Sequence, residues 1–366
     1  MSRPTLIKPP PASENRAPIE DVLELTHLNA IDPNLFTNTR PLWHPPGARG
    51  IYGGAVIAQC LAAAQKTVPA DFNVHSMHCY FVLNGNADIP ILYSVEHVRE
   101  GRSFATRTVQ ARQRGQPIFT TTLSFTREGS GGKQKVEHQA KMPVLPVPQE
   151  EDPDDALRGP NSPFVTLPVN IENNDSPNPH EKRTRQWIKS RGTISDEGGH
   201  QAHLSALAYM SDSYFIGTVA RTHKLWRYST TPKNKKDGSG NTPITNDVLH
   251  RLQKLKTMDV EELKRKEGLD DDIINQIKSL EIKDGKIVGI KDRRPEIGMM
   301  VSLDHSIYFH SPRDFRADQW LLAEAETPWA GDGRGFVQQR IFTKEGKLVA
   351  SCVQEGVVRL KQDSKL

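Results

Sequence analysis

Two polar side chains, Gln354 and Asp212, fall on apolar or small stripes, and a third, Ser302, stands where another part of the chain has an apolar residue. Residues 300–310 (MVSLDHSIYFH) and 346–361 (GKLVASCVQEGVVRLK) alternate at period two and predict β-strands. In the second stretch Leu348, Ala350 and Cys352 lead along one face into Gln354. A buried amide without partners is costly, so Gln354 either finds hydrogen bonds or faces a cavity. The plain alternative is a strand end whose side chains reach water. In the first stretch strict alternation puts Val301, Leu303, Ile307 and Phe309 on one face and Ser302, Asp304 and Ser306 on the other. Asp212 ends a predicted helix in which Leu204, Ala208 and Asp212 are spaced at fours, so it sits on the buried stripe unless it turns to solvent. A hydroxyl and an amide can orient a small polar molecule, and a carboxylate can take a proton from it.

The chain carries this region twice. Residues 78–127 run parallel to 306–359: Cys79-Tyr80-Phe81 matches Ile307-Tyr308-Phe309, GRSF at 101–104 matches GRGF at 333–336, and RGQPIF at 114–119 matches EGKLVA at 345–350. Two copies of one fold are the economical reading. In that register Ser302 falls opposite Val74 and Gln354 opposite Leu123. A core position tolerates an apolar residue in both copies, so a polar replacement in one copy alone points to a site.

The elements that must hold these residues follow from the order of the chain. Residues 1–18 are proline-rich and polar and are expected to be disordered. In the first domain, 19–128, a glycine pair (Gly53-Gly54) opens a helix with Val56, Ile57, Cys60, Leu61 and Ala64 on one stripe, and Pro69 stops it. Residues 74–127 then read as strands, so the sheet is expected to wrap the helix. Residues 129–182 read as a linker. The second domain, 183–361, opens with a strand at 183–192, followed by a second helix after a glycine pair at 198–215. Residues 228–295 have no counterpart in the first copy; they read as a charged, solvated surface insertion with weak helical periodicity, placed where a lid could also sit.

With 366 residues the chain is long enough for two cores, and a net charge of +4 is no nucleic-acid-binding composition. Cys60, Cys79 and Cys352 are odd in number and widely spaced, which excludes a disulfide framework and offers no metal-ligand spacing. The run AVIAQCLAAA is too short to span a bilayer, and the N-terminus lacks the layout of a signal peptide. Ser364-Lys365-Leu366 (362–366 forming a polar tail) is the receptor-read peroxisomal import address, so a peroxisomal matrix location and an import-receptor partner are expected.

With these motifs in view, the chain resembles the acyl-CoA thioesterase II family in its peroxisomal branch. The resemblance covers most of 20–127 and 183–361. It rests on YGGAVIAQCL, HSMHCYFV, REGRSF, RQWI, YMSDSYF, SLDHSIYFH, WAGDGRGF and CVQEGVVR. It implies an α+β double hotdog, each repeat an antiparallel sheet around one long helix. It also implies hydrolysis of acyl-CoA to free fatty acid and CoA, no cofactor or metal, and a homo-oligomer. The implied site is Asp212 in YMSD, Ser302 in SLDH and Gln354 in VQEG; Ala55 departs from the pattern, since many members carry Gln after the glycine pair. In that site Asp212 would take a proton from a water that Ser302 and Gln354 hold in line, and backbone N–H groups would stabilise the oxyanion.

G-x-S-x-G is absent, which argues against an α/β-hydrolase thioesterase. Asp304 and His305 are adjacent in a predicted strand and should point to opposite faces, which argues against a dyad. A hotdog acyl-CoA hydratase or dehydratase is the competing enzyme, although no helical D-x-x-x-x-H stands out; a non-catalytic acyl-CoA-binding protein is the competing non-enzyme. Release of CoA with an unchanged acyl chain separates the three.

Overall fold

The computed structural model describes residues 15–43, 50–149, 161–225, 246–267, 269, 271–283, 286–290 and 294–362. The expected import address at Ser364-Lys365-Leu366 and most of the expected disordered N-terminus lie outside them.

The first half contains α1 (Pro18–Leu23), β1 (Leu25–His27), β2 (Leu35–Asn38), α2 (Gly53–Gln65), β3 (Phe72–Phe81), β4 (Leu92–Glu100), β5 (Phe104–Gln113) and β6 (Gln116–Arg127). The second contains β7 (Phe164–Glu172), β8 (Arg183–Ser190), α3 (Gly199–Ser211) and α4 (Gly217–Thr222), followed by the insertion, α5 (Asn246–Thr257), α6 (Val260–Glu267), α7 (Asp271–Ser279), β9 (Leu280–Lys283) and β10 (Lys286–Ile290). It closes with β11 (Ile297–Ser302), β12 (Asp304–Phe309), β13 (Leu321–Gly331), β14 (Arg334–Thr343) and β15 (Leu348–Leu360).

The main sheet is antiparallel throughout, in the order β1-β2-β4-β5-β6-β3-β12-β15-β14-β13-β8-β7, with β11 also on β15. The halves meet where β3 pairs β12, Met77 opposite Ile307 and Cys79 opposite His305. β7 lies in the stretch expected as linker; it pairs β8 along Phe164 to Glu172 and extends the second half at its edge. The expected repeat appears in the ladders: Cys79 faces Thr121 as Ile307 faces Cys352, and Val74 faces Phe125 as Ser302 faces Gly356.

Sequence dictates the enclosed helices. α2 is rich in alanine, a strong helix former, and is buried on nearly every side, which suits a helix at the centre of a domain. Its close partner is α3. A Cβ on Gly54 would lie 2.2 Å from the Tyr209 carbonyl oxygen, so only glycine allows the backbones to approach this closely. Tyr52 Oη donates to the same carbonyl at 3.1 Å.

The insertion differs from its solvated expectation. Leu252, Leu255, Leu263, Leu269, Ile273, Ile274, Ile277, Leu280 and Ile287 form a core of their own, separate from the main one. Their spacing was obscured by the charged residues between them.

Candidate active site

The end of α3, the junction of β11 with β12 and the middle of β15 bring four polar residues together. Gln354 is fully buried; its Nε2 donates to Asp212 Oδ1 at 2.9 Å and lies 3.1 Å from His305 Nδ1. His305 is also fully buried, and its Nε2 lies 3.0 Å from Ser211 Oγ, which donates onward to the Ala208 carbonyl at 2.9 Å. Gln354 Oε1 is buried without a hydrogen-bond partner. An unpaired buried acceptor costs about 1–3 kcal/mol, so a hydrogen-bond donor brought to it would be held there.

Asp212 caps the C-terminus of α3 with φ −82° and ψ 0°, and Tyr214 then takes φ 55° to turn the chain into α4. A carboxylate is unfavourable at the negative end of its own helix. The N-terminus of α2 compensates: a Cβ on Gly53 would stand 2.7 Å from Asp212 Oδ2 and 2.9 Å from the Phe81 ring, so the positive end of the other helix lies against the carboxylate. The Asp212 side chain retains 10% exposure. The departure at Ala55 therefore leaves α2 at the site through its backbone.

Ser302 reaches the same face by a β-bulge. Ser302 is opposite Gly356 and Ser306 opposite Val353, and Leu303 and Asp304 both bond to Glu355, Leu303 N to its carbonyl at 2.9 Å and Asp304 Oδ1 from its N–H at 2.7 Å. The extra residue shifts the alternation by one. Ser302 thus shares the inner face with Gly356, Gln354 and His305, while Asp304 and Ser306 point outward; strict alternation had placed all three on one face. Ser302 is half-buried and, among the described residues, makes no side-chain hydrogen bond to Asp212 or Gln354.

Asp304 and His305 point to opposite faces and form no dyad, but His305 itself joins the cluster. Continuing the β12–β15 register puts His305 opposite Gln354, where the first repeat has Met77 opposite Leu123. Applying the repeat comparison to Met77 and His305 would have found it. Burial pushes the His305 pKa down to about 3, so the ring is neutral, and its 4.0 Å approach to Asp212 Oδ1 is no ion pair.

The chemistry of the neighbourhood is narrow. Cys79, opposite His305, has its thiol pushed up to about 12, chiefly by burial and further by the Asp212 charge, so it is no thiolate nucleophile. Among the described residues no cluster of His, Cys, Asp and Glu could hold a metal ion. An open groove of about 930 Å³ involves Lys189, Arg316, Asp318 and Trp320 and shares no residue with this cluster. Within it Arg316 pairs with Asp318 at 2.8 Å and Lys189 lies over the Trp320 ring at 5.0 Å.

Residues 40–126 match the family model for the acyl-CoA thioesterase N-terminal domain, and residues 143–358 the one for the acyl-CoA thioesterase C-terminal domain. The chain is 32% identical to acyl-coenzyme A thioesterase 8 of Homo sapiens over 369 residues, covering 94% of this chain and 92% of that protein. It is 27% identical to peroxisomal acyl-coenzyme A thioester hydrolase 1 of Saccharomyces cerevisiae, over 93% of this chain and 94% of that one. Among solved structures, an acyl-CoA thioesterase II from Mycobacterium marinum superposes with a TM-score of 0.60 at 27% identity, covering 95% of this chain and 99% of that chain. A protein with a hot dog fold from Alicyclobacillus acidocaldarius gives 0.57 at 14% identity over 94% and 98%, which speaks to the fold alone. The chain belongs to the acyl-CoA thioesterase II family, a double-hotdog thioester hydrolase.

Proposed function

We propose that the chain hydrolyses fatty acyl-CoA to fatty acid and CoA by direct attack of a water held by Asp212, Gln354 and Ser302. The observation that carries this reading is the buried, unpartnered Gln354 Oε1 beside an amide nitrogen bonded to Asp212. A water between Oε1 and the carboxylate donates one hydrogen to each, and the Ser302 hydroxyl on the same face steadies it or the substrate. As the water oxygen bonds to the thioester carbon, its proton passes to Asp212. The tetrahedral oxyanion is met by backbone N–H groups in the first turn of α2. Collapse breaks the C–S bond, and the proton leaves Asp212 for the departing thiolate. Phe81 and Ile216, packed against Gly53 and Gly356, give the acyl chain an apolar flank.

The C-terminal Ser-Lys-Leu and the similarity to the yeast peroxisomal acyl-coenzyme A thioester hydrolase 1 support peroxisomal lipid metabolism as the setting, with an import receptor as partner. A homo-oligomer is in keeping with exposed Tyr80 and Tyr308 on the outward face of the central strands. No helix among the described residues is long and apolar enough to cross a membrane. The test is release of free CoA thiol across acyl-CoAs of increasing chain length, with the acyl product identified. Hydrolysis with an unchanged acyl chain is expected; hydration of the chain, or binding without turnover, contradicts the reading.

A further inference from the structure

A neutral, fully buried histidine, His305, stands opposite Gln354 without a part in the proposed reaction. An amide side chain has two faces, and turning it over exchanges a donor for an acceptor with almost no change of shape. The proposed mechanism works in one orientation only: nitrogen toward Asp212, oxygen toward the water. A second fixed contact is therefore useful, and the geometry supplies it.

We propose that His305 is a positioning residue which, as its Nε2–H tautomer, accepts a hydrogen bond from Gln354 and so locks the amide with Oε1 facing the water. The inference rests on the role given to Gln354 above. Both hydrogens of Gln354 Nε2 are then used, one on Asp212 Oδ1 at 2.9 Å and one on His305 Nδ1 at 3.1 Å. An imidazole whose Nδ1 accepts carries its proton on Nε2, and that N–H donates to Ser211 Oγ at 3.0 Å. Ser211 can accept it because its own hydrogen goes to the Ala208 carbonyl at 2.9 Å. The direction of every bond is fixed from the backbone of α3 outward to the amide, and the end of the chain is the empty Oε1. Burial that disfavours a charged ring keeps Nδ1 an acceptor. In the first repeat the paired positions are Met77 and Leu123, both fully buried, where no amide needs orienting.

The experiment is a double-mutant cycle on the full chain, with His305→Met and Gln354→Leu placing first-repeat residues at both positions. His305→Met alone is expected to lower kcat on the order of tenfold to a hundredfold with KM within about threefold, since ground-state binding is untouched. In the Gln354→Leu background the same change is expected to cost less than about twofold, because a residue acting through another has nothing left to act on. Additive losses, or a fully active His305→Met, overturn the inference while leaving Gln354 in its role. A fully active Gln354→Leu instead overturns the role of Gln354 and the inference with it. Should His305→Met fail to fold, ¹⁵N NMR of histidine-labelled wild-type protein decides: a proton on Nε2 of His305 is expected, and one on Nδ1 overturns the assignment.

Discussion

At the scale of single residues, the site is a departure from a packing pattern that the chain itself supplies. Val74, Met77 and Leu123 hold the positions of Ser302, His305 and Gln354 in the other repeat, so each apolar residue is known to fit that backbone. Ser302→Val and Gln354→Leu are therefore expected to leave stability within about 2 kcal/mol of the parent, while turnover falls on the order of a hundredfold. Chemical denaturation beside a thiol-release assay checks both; near-normal turnover would return these residues to packing. Gly53→Ala probes the site from the other helix. Its Cβ would stand 2.7 Å from Asp212 Oδ2, so the carboxylate has to move, and a loss of at least about tenfold in kcat is expected, as for other misplaced catalytic groups. Unchanged kcat would mean that the placement of Asp212 against α2 is immaterial. Gln354 and Asp212 were legible in the sequence as residue types out of keeping with their faces, and Ser302 by its apolar counterpart in the other repeat. His305 was not, because beside Asp304 it reads as one more polar residue of a strand, and the bulge at Leu303 that brings Ser302 to its side depends on pairing that alternation along one strand does not encode.

At the scale of elements, what could be read was whatever had a clean period. α2 and α3 follow glycine pairs and carry apolar runs, and the strands from β3 to β6 alternate, so all were legible. β7 was not: its proline, Pro168, and its polar residues resemble the linker before it, and it is an edge strand, where such residues are tolerated. The helices of the insertion were half-legible, since their apolar residues face one another and not the main core. An insertion with its own core should be separable. Replacing 232–292 by a short Gly/Ser linker is expected to leave a soluble chain with one cooperative unfolding transition, as followed by circular dichroism. Loss of that transition would make the insertion part of the sheet's support, whereas loss of turnover alone would make it a lid.

For the whole molecule, partial or full desolvation of histidines links stability to pH. His75, His200, His203, His223, His305 and His310 are all shifted downward mainly by desolvation, His305 to about 3. The unfolded chain then binds more protons than the folded one below the ordinary histidine value near 6.5. Stability is fully present above that value and is lost as pH falls toward the folded pKa values. A urea midpoint lower at pH 5.5 than at pH 7.5 is expected; an equal or higher one contradicts the downward shifts of these rings. The import address proposed for Ser364-Lys365-Leu366 is tested on the whole chain as well. Residues added after Leu366 are expected to leave a fluorescently tagged protein cytosolic, and continued import would require another signal.

The most direct test of the account is CoA release by purified Asp212→Asn. Asparagine keeps the shape of the side chain and is a poor base, so the fold and acyl-CoA binding are expected to survive. Turnover is expected to fall on the order of a hundredfold or more, the scale of a lost general base. A folded Asp212→Asn protein that binds acyl-CoA and releases CoA at near the parent rate would contradict the claim that this carboxylate activates the water.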